Sequence, residues 1–126
     1  YTNVNDVSNR DDQSVEQNWI RGKAFDGSAP MGPVVATPEH VDDPADPRIR
    51  LWQNGEKKQD SEDDELIFDV PAVIAEVTAL LTLEPGDVIA MGTSGHPEPL
   101  SDGDTVEIEI DGVGRLRHGV ERDDER

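Results

Sequence analysis

The sequence contains no cysteine and few aromatic residues, and each shortage excludes a class of protein. Without cysteine there are no disulfides, no thiolate metal sites and no cysteine nucleophile. Only 33% of the 126 residues are hydrophobic and 4% are aromatic, so a single domain of this length has a thin core unless other sequence or a partner subunit completes it. No apolar run approaches the ~18 residues needed to cross a bilayer, and we therefore expect a soluble, cytoplasmic protein.

Positive charge is also scarce, since 11 Lys and Arg stand against 29 Asp and Glu and give a formal net charge of −18. Nucleic acids and anionic membranes need a basic surface, so this balance excludes both as partners. Molar salt shortens the Debye length to about 3 Å and screens the self-repulsion, and the composition is similar to that of proteins from salt-loving microbes. An acidic disordered chain is the alternative, but hydrophobic periodicity in the middle of the sequence argues against it.

Turn signals and alternating residues predict a β-rich α+β architecture. Residues 48–53 alternate and end at Asn54-Gly55, a dipeptide typical of a hairpin. A second hairpin is predicted from residues 105–110 and 114–120, which flank Asp111-Gly112. Strands do not alternate regularly with helices, so a β-sheet roll fits better than a parallel α/β fold.

One helix is well defined by the sequence, over residues 72–81, and the preceding Pro71 suits the start of a helix. Its apolar side chains recur at spacings of three and four and are predicted to be buried: Val73, Ile74, Val77, Leu80 and Leu81. Short strands are predicted at residues 66–70 and 88–91, and an acidic solvated loop at residues 60–65.

Residues 1–20 predict a strand end that runs into a polar helical turn. Ser8 or Asp11 is the predicted cap of this turn. Its short apolar side is predicted from Val15, Trp19 and Ile20. Residues 22–47 hold five prolines with little periodicity and predict an ordered loop.

The candidate chemistry lies in residues 1–32, where a carboxylate, a guanidinium, an amide and a lone lysine occur close together. Asp6 enters a strand-like segment, which costs free energy unless the carboxylate finds a cation or hydrogen-bond donors; a capping or turn aspartate is the alternative. Arg10 and Gln13 are predicted on one face of a helical turn, where Arg10 would fix a substrate carboxylate; a weak surface pair is the alternative.

Lys23 is the only lysine among the first 56 residues and lies in a loop where backbone can approach a ligand; a solvated surface lysine is the alternative. Gly27 could offer a backbone group to the same centre. Thr93 follows a predicted strand, where a hydroxyl often faces a site, although an ordinary turn threonine is the alternative. The three histidines show no ligand spacing, and oxygen ligands without cysteine indicate Mg²⁺, with Mn²⁺ or Ca²⁺ as alternatives.

The sequence resembles the fumarylacetoacetate hydrolase (FAH) family, which also holds acylpyruvate hydrolases, 2-hydroxyhepta-2,4-diene-1,7-dioate isomerases and related decarboxylases. Eight matching pieces run in order through nearly the whole chain: Asn5-Asp6-Val7-Ser8 with Arg10-Asp11 and Gln13; Gly22-Lys23-Ala24-Phe25-Asp26; Gly32-Pro33; Asn54-Gly55-Glu56 with Gln59; Leu66-Ile67-Phe68; Leu83-Glu84-Pro85-Gly86-Asp87-Val88-Ile89; Gly92-Thr93; and Gly103-Asp104 with Val106.

The resemblance implies a role for each candidate residue. Asp6 corresponds to the third carboxylate ligand of a catalytic divalent metal, Lys23 to the active-site lysine beside it, and Gly27 to a residue near the cation. Arg10 and Gln13 match substrate-contacting positions, and Thr93 matches a threonine that faces the substrate. After Gly92-Thr93 the family's proline and glycine-rich continuation is replaced by a different segment, residues 94–99.

The fold implied by the resemblance is the mixed β-roll of the family's C-terminal domain, incomplete at the N-terminus and usually dimeric. Residues 1–120 are then a partial catalytic domain and residues 121–126 a frayed acidic tail. The family's Glu-x-Glu metal pair and its general base are expected upstream of Tyr1, so the chain is expected to be the C-terminal part of a larger enzyme.

The reaction implied is a divalent-metal-dependent hydrolysis of C–C bonds in acylpyruvate-like or fumarylacetoacetate-like 2-oxo acids. Isomerisation or decarboxylation in aromatic catabolism is the alternative within the family. A truncated, non-catalytic module that contributes only to a subunit interface is an alternative from a different class. The expected partner is a small 2-oxo or dicarboxylic acid.

Overall fold

The computed structural model describes residues 1–41, 47–61, 67–93 and 98–123. These residues form six strands and three α-helices, in the chain order β1 Asn3–Val4, α1 Arg10–Val15, α2 Ile20–Lys23, β2 Met31–Gly32, β3 Ile49–Gln53, β4 Glu56–Ser61, α3 Val70–Leu80, β5 Thr105–Ile110 and β6 Gly114–Gly119, with a short 3₁₀ turn at Pro38–His40. Within these ranges no helix has the length and apolar content that a membrane span requires. The β-rich α+β prediction is confirmed.

Two predicted hairpins build most of the larger sheet. The Asn54 and Gly55 backbones have φ values of 53° and 80°, the left-handed conformation that a two-residue hairpin turn requires, and they join β3 to β4. The turn at residues 111–113 joins β5 to β6, with Ile110 opposite Gly114. Antiparallel pairing of β3 with β5 then gives the strand order β4-β3-β5-β6.

The core lies on one face of this sheet because alternate side chains of a strand point to the same side. Leu51, Val106 and Ile108 are buried there, and Leu116 extends the same face onto β6. The short β1–β2 sheet packs near β6, where the Asn3 Nδ2 donates to the Gly114 carbonyl at 2.9 Å. This apolar face, with β1 at one end, positions the candidate site.

The opposite face of the sheet is charged. The Arg115 guanidinium lies 4.3 Å from the centre of the Trp52 ring and forms ion pairs of 2.9 Å with both Glu107 and Glu109. These cross-strand contacts neutralise part of the acidic excess where carboxylates of β5 would otherwise face each other.

The first helical turn differs from its prediction at the cap. Asn9, rather than Ser8 or Asp11, caps α1, and its side chain accepts from the N–H groups of Asp11 and Asp12. The predicted apolar side is wrong, because Val15, Trp19 and Ile20 are 80%, 54% and 62% exposed. The predicted loop at residues 22–47 is mostly irregular where described, but it also contains β2 and the 3₁₀ turn.

Helix α3 begins two residues earlier than predicted. The Asp69 carboxylate accepts from the Ala72 N–H at 2.8 Å and caps the helix, so the predicted strand at residues 66–70 is wrong over its described part; Leu66 lies outside the described residues. The predicted strand at residues 88–91 is also not formed. Asp60 and Ser61 belong to β4 rather than to an acidic loop, and residues 62–65 of that predicted loop lie outside the described part of the chain.

The predicted burial of α3 is wrong. Ile74, Leu80 and Leu81 are 43%, 79% and 65% exposed, and Val73 and Val77 are only half-buried. Among the described elements, α3 packs against no other helix or strand. The spacing of the apolar residues therefore predicted the helix correctly, but no described element covers its apolar side.

Candidate functional site

The turn after β1 brings Asp6 and Lys23 together. Lys23 ends α2, and its Nζ lies 2.5 Å from the Asp6 Oδ2 although the residues are 17 positions apart. Backbone hydrogen bonds hold both neighbours of Asp6: the Asn5 N–H donates to the Pro30 carbonyl at 3.0 Å, and the Val7 N–H donates to the Ser28 carbonyl at 2.9 Å. The two sequence-predicted charges are thus joined in a turn fixed on either side of the carboxylate.

Helices α1 and α2 fix the next two predicted residues. The Arg10 Nη1 donates to the Gln13 Oε1 at 2.6 Å, so the two side chains lie together on one side of α1. Gly22 of α2 is buried against this helix, and a Cβ added at Gly22 would lie 2.9 Å from the Gln13 Cβ. The sequence gives Gly22 no obvious role, and its function is this close helix–helix contact.

Gly27 lies in the turn that follows α2. Its φ is 76°, and a Cβ added there would meet no atom within 4 Å. The next residue, Ser28, accepts the hydrogen bond from Val7. Gly27 therefore lies beside the strand-like pairing that anchors the Asp6 turn, and its backbone conformation favours glycine.

Thr93 is held from a different part of the chain. The Gln59 Nε2, on β4, donates to the Thr93 Oγ1 at 2.9 Å, and Gln59 is buried. Strand register aligns Gln59 with Leu51, Ile108 and Leu116, so Thr93 is attached to the same apolar sheet face that β1 approaches. Strand β4, which holds Thr93 through Gln59, lies three strand spacings, about 14 Å, from β6, near which β1 packs. The segment that follows Thr93, residues 94–97, lies outside the described residues.

A contact between Asn5 and His118 was missed by the sequence reasoning. The Asn5 Nδ2 lies 2.9 Å from the His118 Nε2, and the His118 Nδ1 lies 2.9 Å from the Gly119 carbonyl oxygen. Alternation along β6 could have placed His118 on the same face as Leu116, but no local signal relates two residues that are 113 positions apart.

Asp6 fits one position in the coordination shell of a hard divalent cation. Its side chain is 53% exposed, with Oδ2 on Lys23 and with Oδ1 unpartnered among the described residues. Carboxylate oxygens are ligands that Mg²⁺ and Mn²⁺ prefer. In the described ranges no group of three His, Asp or Glu side chains converges in a way that could hold a metal ion.

This part of the chain offers three charged groups: a carboxylate, an ammonium and a guanidinium. The described contacts join the Asp6 carboxylate to the Lys23 ammonium, while the Arg10 guanidinium, whose paired donors suit a carboxylate, is held by Gln13 on α1. Such an arrangement can bind an anionic oxygen-rich substrate and stabilise negative charge that develops on an oxygen atom.

Two relatives compared by sequence have similar identity over almost the whole chain. Protein Rv2993c of Mycobacterium tuberculosis is 42% identical over 97% of this chain and 46% of its own length. The 4-hydroxyphenylacetate degradation bifunctional isomerase/decarboxylase of Salmonella dublin is 42% identical over 92% of this chain and 27% of its own length. The chain therefore spans at most about half the length of these relatives.

Solved structures are similar in fold as well as sequence. A crystal structure of 2-hydroxyhepta-2,4-diene-1,7-dioate isomerase from Mycobacterium marinum superposes with a TM-score of 0.92 at 42% identity, over 98% of this chain and 48% of that one. Maleylpyruvate hydrolase from Sphingobium sp. SYK-6, in complex with manganese(II) ion and pyruvate, superposes with a TM-score of 0.76 at 39% identity, over 81% of this chain and 39% of that one.

The family model agrees with these likenesses. It describes the fumarylacetoacetate (FAA) hydrolase C-terminal domain and matches residues 1–121, which include every candidate site residue from Asp6 to Thr93. The order of the motifs, the antiparallel β-rich fold and the joined Asp6–Lys23 pair agree with that match. The chain belongs to the fumarylacetoacetate hydrolase family.

Proposed function

We propose that the chain forms part of a divalent-metal-dependent active site that hydrolyses a C–C bond in acylpyruvate-like 2-oxo acids. The ion pair between Lys23 and Asp6, at 2.5 Å in a turn anchored on both sides, is the observation that carries this proposal. The manganese and pyruvate bound by the related maleylpyruvate hydrolase support a metal and a 2-oxo acid at a site of this family.

Each residue has a proposed role in this reaction. Asp6 would be one ligand of the metal, and Gly27 would lie near it. The divalent cation, when bound, would supply Lewis-acid stabilisation of the negative charge that develops on the substrate oxygen. Lys23 would hold positive charge beside that oxygen, Arg10 and Gln13 would bind the substrate carboxylate, and Thr93 would face the substrate.

An isomerase or decarboxylase is the second candidate. The M. marinum isomerase superposes with a TM-score of 0.92, against 0.76 for the manganese-bound hydrolase, and the S. dublin relative is an isomerase/decarboxylase. Both reactions need the same charge stabilisation but no attack by water. The Lys23, Arg10 and Thr93 roles would therefore be the same in either case.

The proposal also covers the metal ion, the oligomeric state and the solution conditions. Mg²⁺ is the proposed metal, with Mn²⁺ or Ca²⁺ as alternatives, and a homodimer in the cytoplasm is the proposed form. The −18 net charge supports activity in concentrated salt. Residues 1–120 would belong to the catalytic domain and residues 121–126 to an acidic tail.

The test uses a polypeptide of the relatives' length, expressed from the reading frame that contains this sequence. In molar salt with Mg²⁺ or Mn²⁺, we expect loss of the diketone absorbance of an acylpyruvate. Substitution Lys23→Ala should lower kcat by about 100-fold, because it removes a preorganised charge at the developing oxyanion, while the metal Kd changes less than about threefold.

A matched control separates this role from the loss of any lysine. Lys57 on β4 also forms an ion pair, with Asp60, so Lys57→Ala removes a paired lysine from the sheet edge and should leave kcat unchanged. Equal turnover in the Lys23→Ala and wild-type enzymes would refute the role of Lys23. A new tautomer without cleavage would favour the isomerase, and no metal binding at all would favour a non-catalytic module.

A further inference from the structure

Asn5 is held to β6 by its side chain. An asparagine Nδ2 can only donate, so the His118 Nε2 must accept the 2.9 Å hydrogen bond from Asn5. The Gly119 carbonyl can only accept, so the His118 Nδ1 must donate across its own 2.9 Å contact. Together these contacts fit the His118 tautomer that carries its proton on Nδ1.

The consequence for Asn5 is a fixed amide orientation. With Nδ2 directed at the sheet, the Asn5 Oδ1 is turned away from His118 and has no partner among the described residues. The Asn5 backbone N–H is held separately by the Pro30 carbonyl at 3.0 Å. Asn5 therefore has both its backbone and its side chain tied, one residue before the Asp6 carboxylate.

We propose that His118 is a positioning residue, which acts through the Asn5 amide to hold the Asp6 turn against β6. This proposal rests on the proposed function only in giving Asp6 the role of metal ligand. Without the acceptor at residue 118, Asn5 keeps only its backbone hydrogen bonds with Pro30 and Val7, and the turn that carries Asp6 gains freedom to move away from the sheet. A partner that orients a ligand-bearing segment raises metal affinity without touching the metal.

The first test uses the polypeptide of the relatives' length at pH 8. Long-range proton–nitrogen NMR should find the His118 proton on Nδ1. Substitution His118→Leu should raise the exchange rates of the Asn5 and Val7 backbone amides about three- to tenfold, the effect of one lost hydrogen bond. Substitution His118→Gln, which keeps an acceptor near the position of Nε2, should restore slow exchange.

Two controls keep a general loss of stability apart from local positioning. The Val120 amide, which donates to the Asp104 carbonyl within the β5–β6 region, should keep its exchange rate in all variants. Substitution His40→Leu removes an exposed histidine that contacts Thr37 and should change neither Asn5 nor Val7. A proton on Nε2, equal exchange in the Leu and Gln variants, or equal acceleration at Val120 would overturn the proposal.

The second test measures Mn²⁺ affinity in the polypeptide of the relatives' length. His118→Leu should weaken the Mn²⁺ Kd by about three- to tenfold and His118→Gln should restore it. If the wild-type polypeptide binds no Mn²⁺, the proposed function fails, and the NMR and exchange results still decide the role of His118.

Discussion

The four-stranded sheet buries its apolar side chains, whereas helix α3 leaves its own in solvent. Val106 and Ile108 of β5 are 0% and 5% exposed, while Leu80 of α3 is 79% exposed. Two apolar residues just before α3, Ile67 and Phe68, are 89% and 65% exposed. Both regions have regular apolar periodicity, and only in the sheet does another part of the described chain cover it.

The difference shows that the two regions depend on different sources of stability. The sheet gains from burial of apolar area, which contributes about 25 cal/mol for each Å² removed from water. An 11-residue helix without tertiary packing is marginal in water and depends on its caps and its helix propensity. We therefore expect the two regions to respond differently to the same kind of substitution.

The largest expected effect comes from a truncation in the sheet. Ile108→Ala removes a side chain that is 5% exposed and should lower the free energy of unfolding by about 2–5 kcal/mol. Denaturant unfolding in molar salt measures it. Leu80→Ala on α3 is the matched control and should change the same quantity by less than about 0.5 kcal/mol. Similar losses in both variants would mean that α3 is covered in solution.

The next effect concerns α1 and α2, which unlike α3 pack against each other. Gly22→Ala would put a Cβ 2.9 Å from the Gln13 Cβ and 3.0 Å from the Gln13 backbone nitrogen, so the two helices must separate. Overpacking of this kind should cost about 1–3 kcal/mol. Gly27→Ala is a control with open space but a φ of 76°, so it tests backbone strain without the clash. Equal stability of Gly22→Ala and wild type would contradict the close contact.

A smaller and purely local effect is expected at the cap of α3. Asp69→Ala removes the acceptor for the Ala72 N–H and should cost about 1 kcal/mol of helix stability. Because α3 packs on no described element, far-UV circular dichroism should lose helical signal while the sheet unfolds at an unchanged denaturant midpoint. A shifted midpoint would show that the helix and the sheet unfold as one unit.

The smallest effect is the acid response of β4. The Arg48 guanidinium and then the Lys57 ammonium lower the pKa of Asp60 to about 2, below its ordinary value of 3.8. Stability from this carboxylate is therefore present above pH 3.8 and is lost as the pH falls towards 2. Asp60→Asn should flatten the dependence of the unfolding free energy on pH over this window, as measured by denaturant unfolding at a series of pH values. Because the group is exposed, molar salt should reduce the difference.

Local signals predicted the hairpins well. Asn54-Gly55 occupies the left-handed conformations that its turn needs, and the alternation in residues 105–110 and 114–119 became β5 and β6. Helix α3 was predicted to within two residues at its start. These features depend on residues close in sequence, so the information is present in a short window.

Features that depend on distant partners were predicted poorly. The prediction that α3 is buried failed because a periodic pattern defines an apolar face but not the surface that covers it. The prediction of a strand at residues 88–91 failed because a strand also needs a neighbouring strand, and the described chain supplies none there. In the site, the mix of charges in residues 1–32 singled out Asp6 and Lys23, and motif resemblance implied their roles, but the His118 contact across 113 positions had no local signal.

The irregular register between β3 and β4 has a consequence for how separate molecules meet. The pairing shifts between Leu51 and Trp52, and β4 ends the sheet on that side. Its edge carries Lys57 and Lys58, which are already paired with Asp60 and with Glu56 and Glu98. A second strand could add to this edge only by stripping water and ion partners from both lysines across a twisted, uneven ladder. Among the described strands, this edge is therefore a poor template for the addition of a strand from a second molecule.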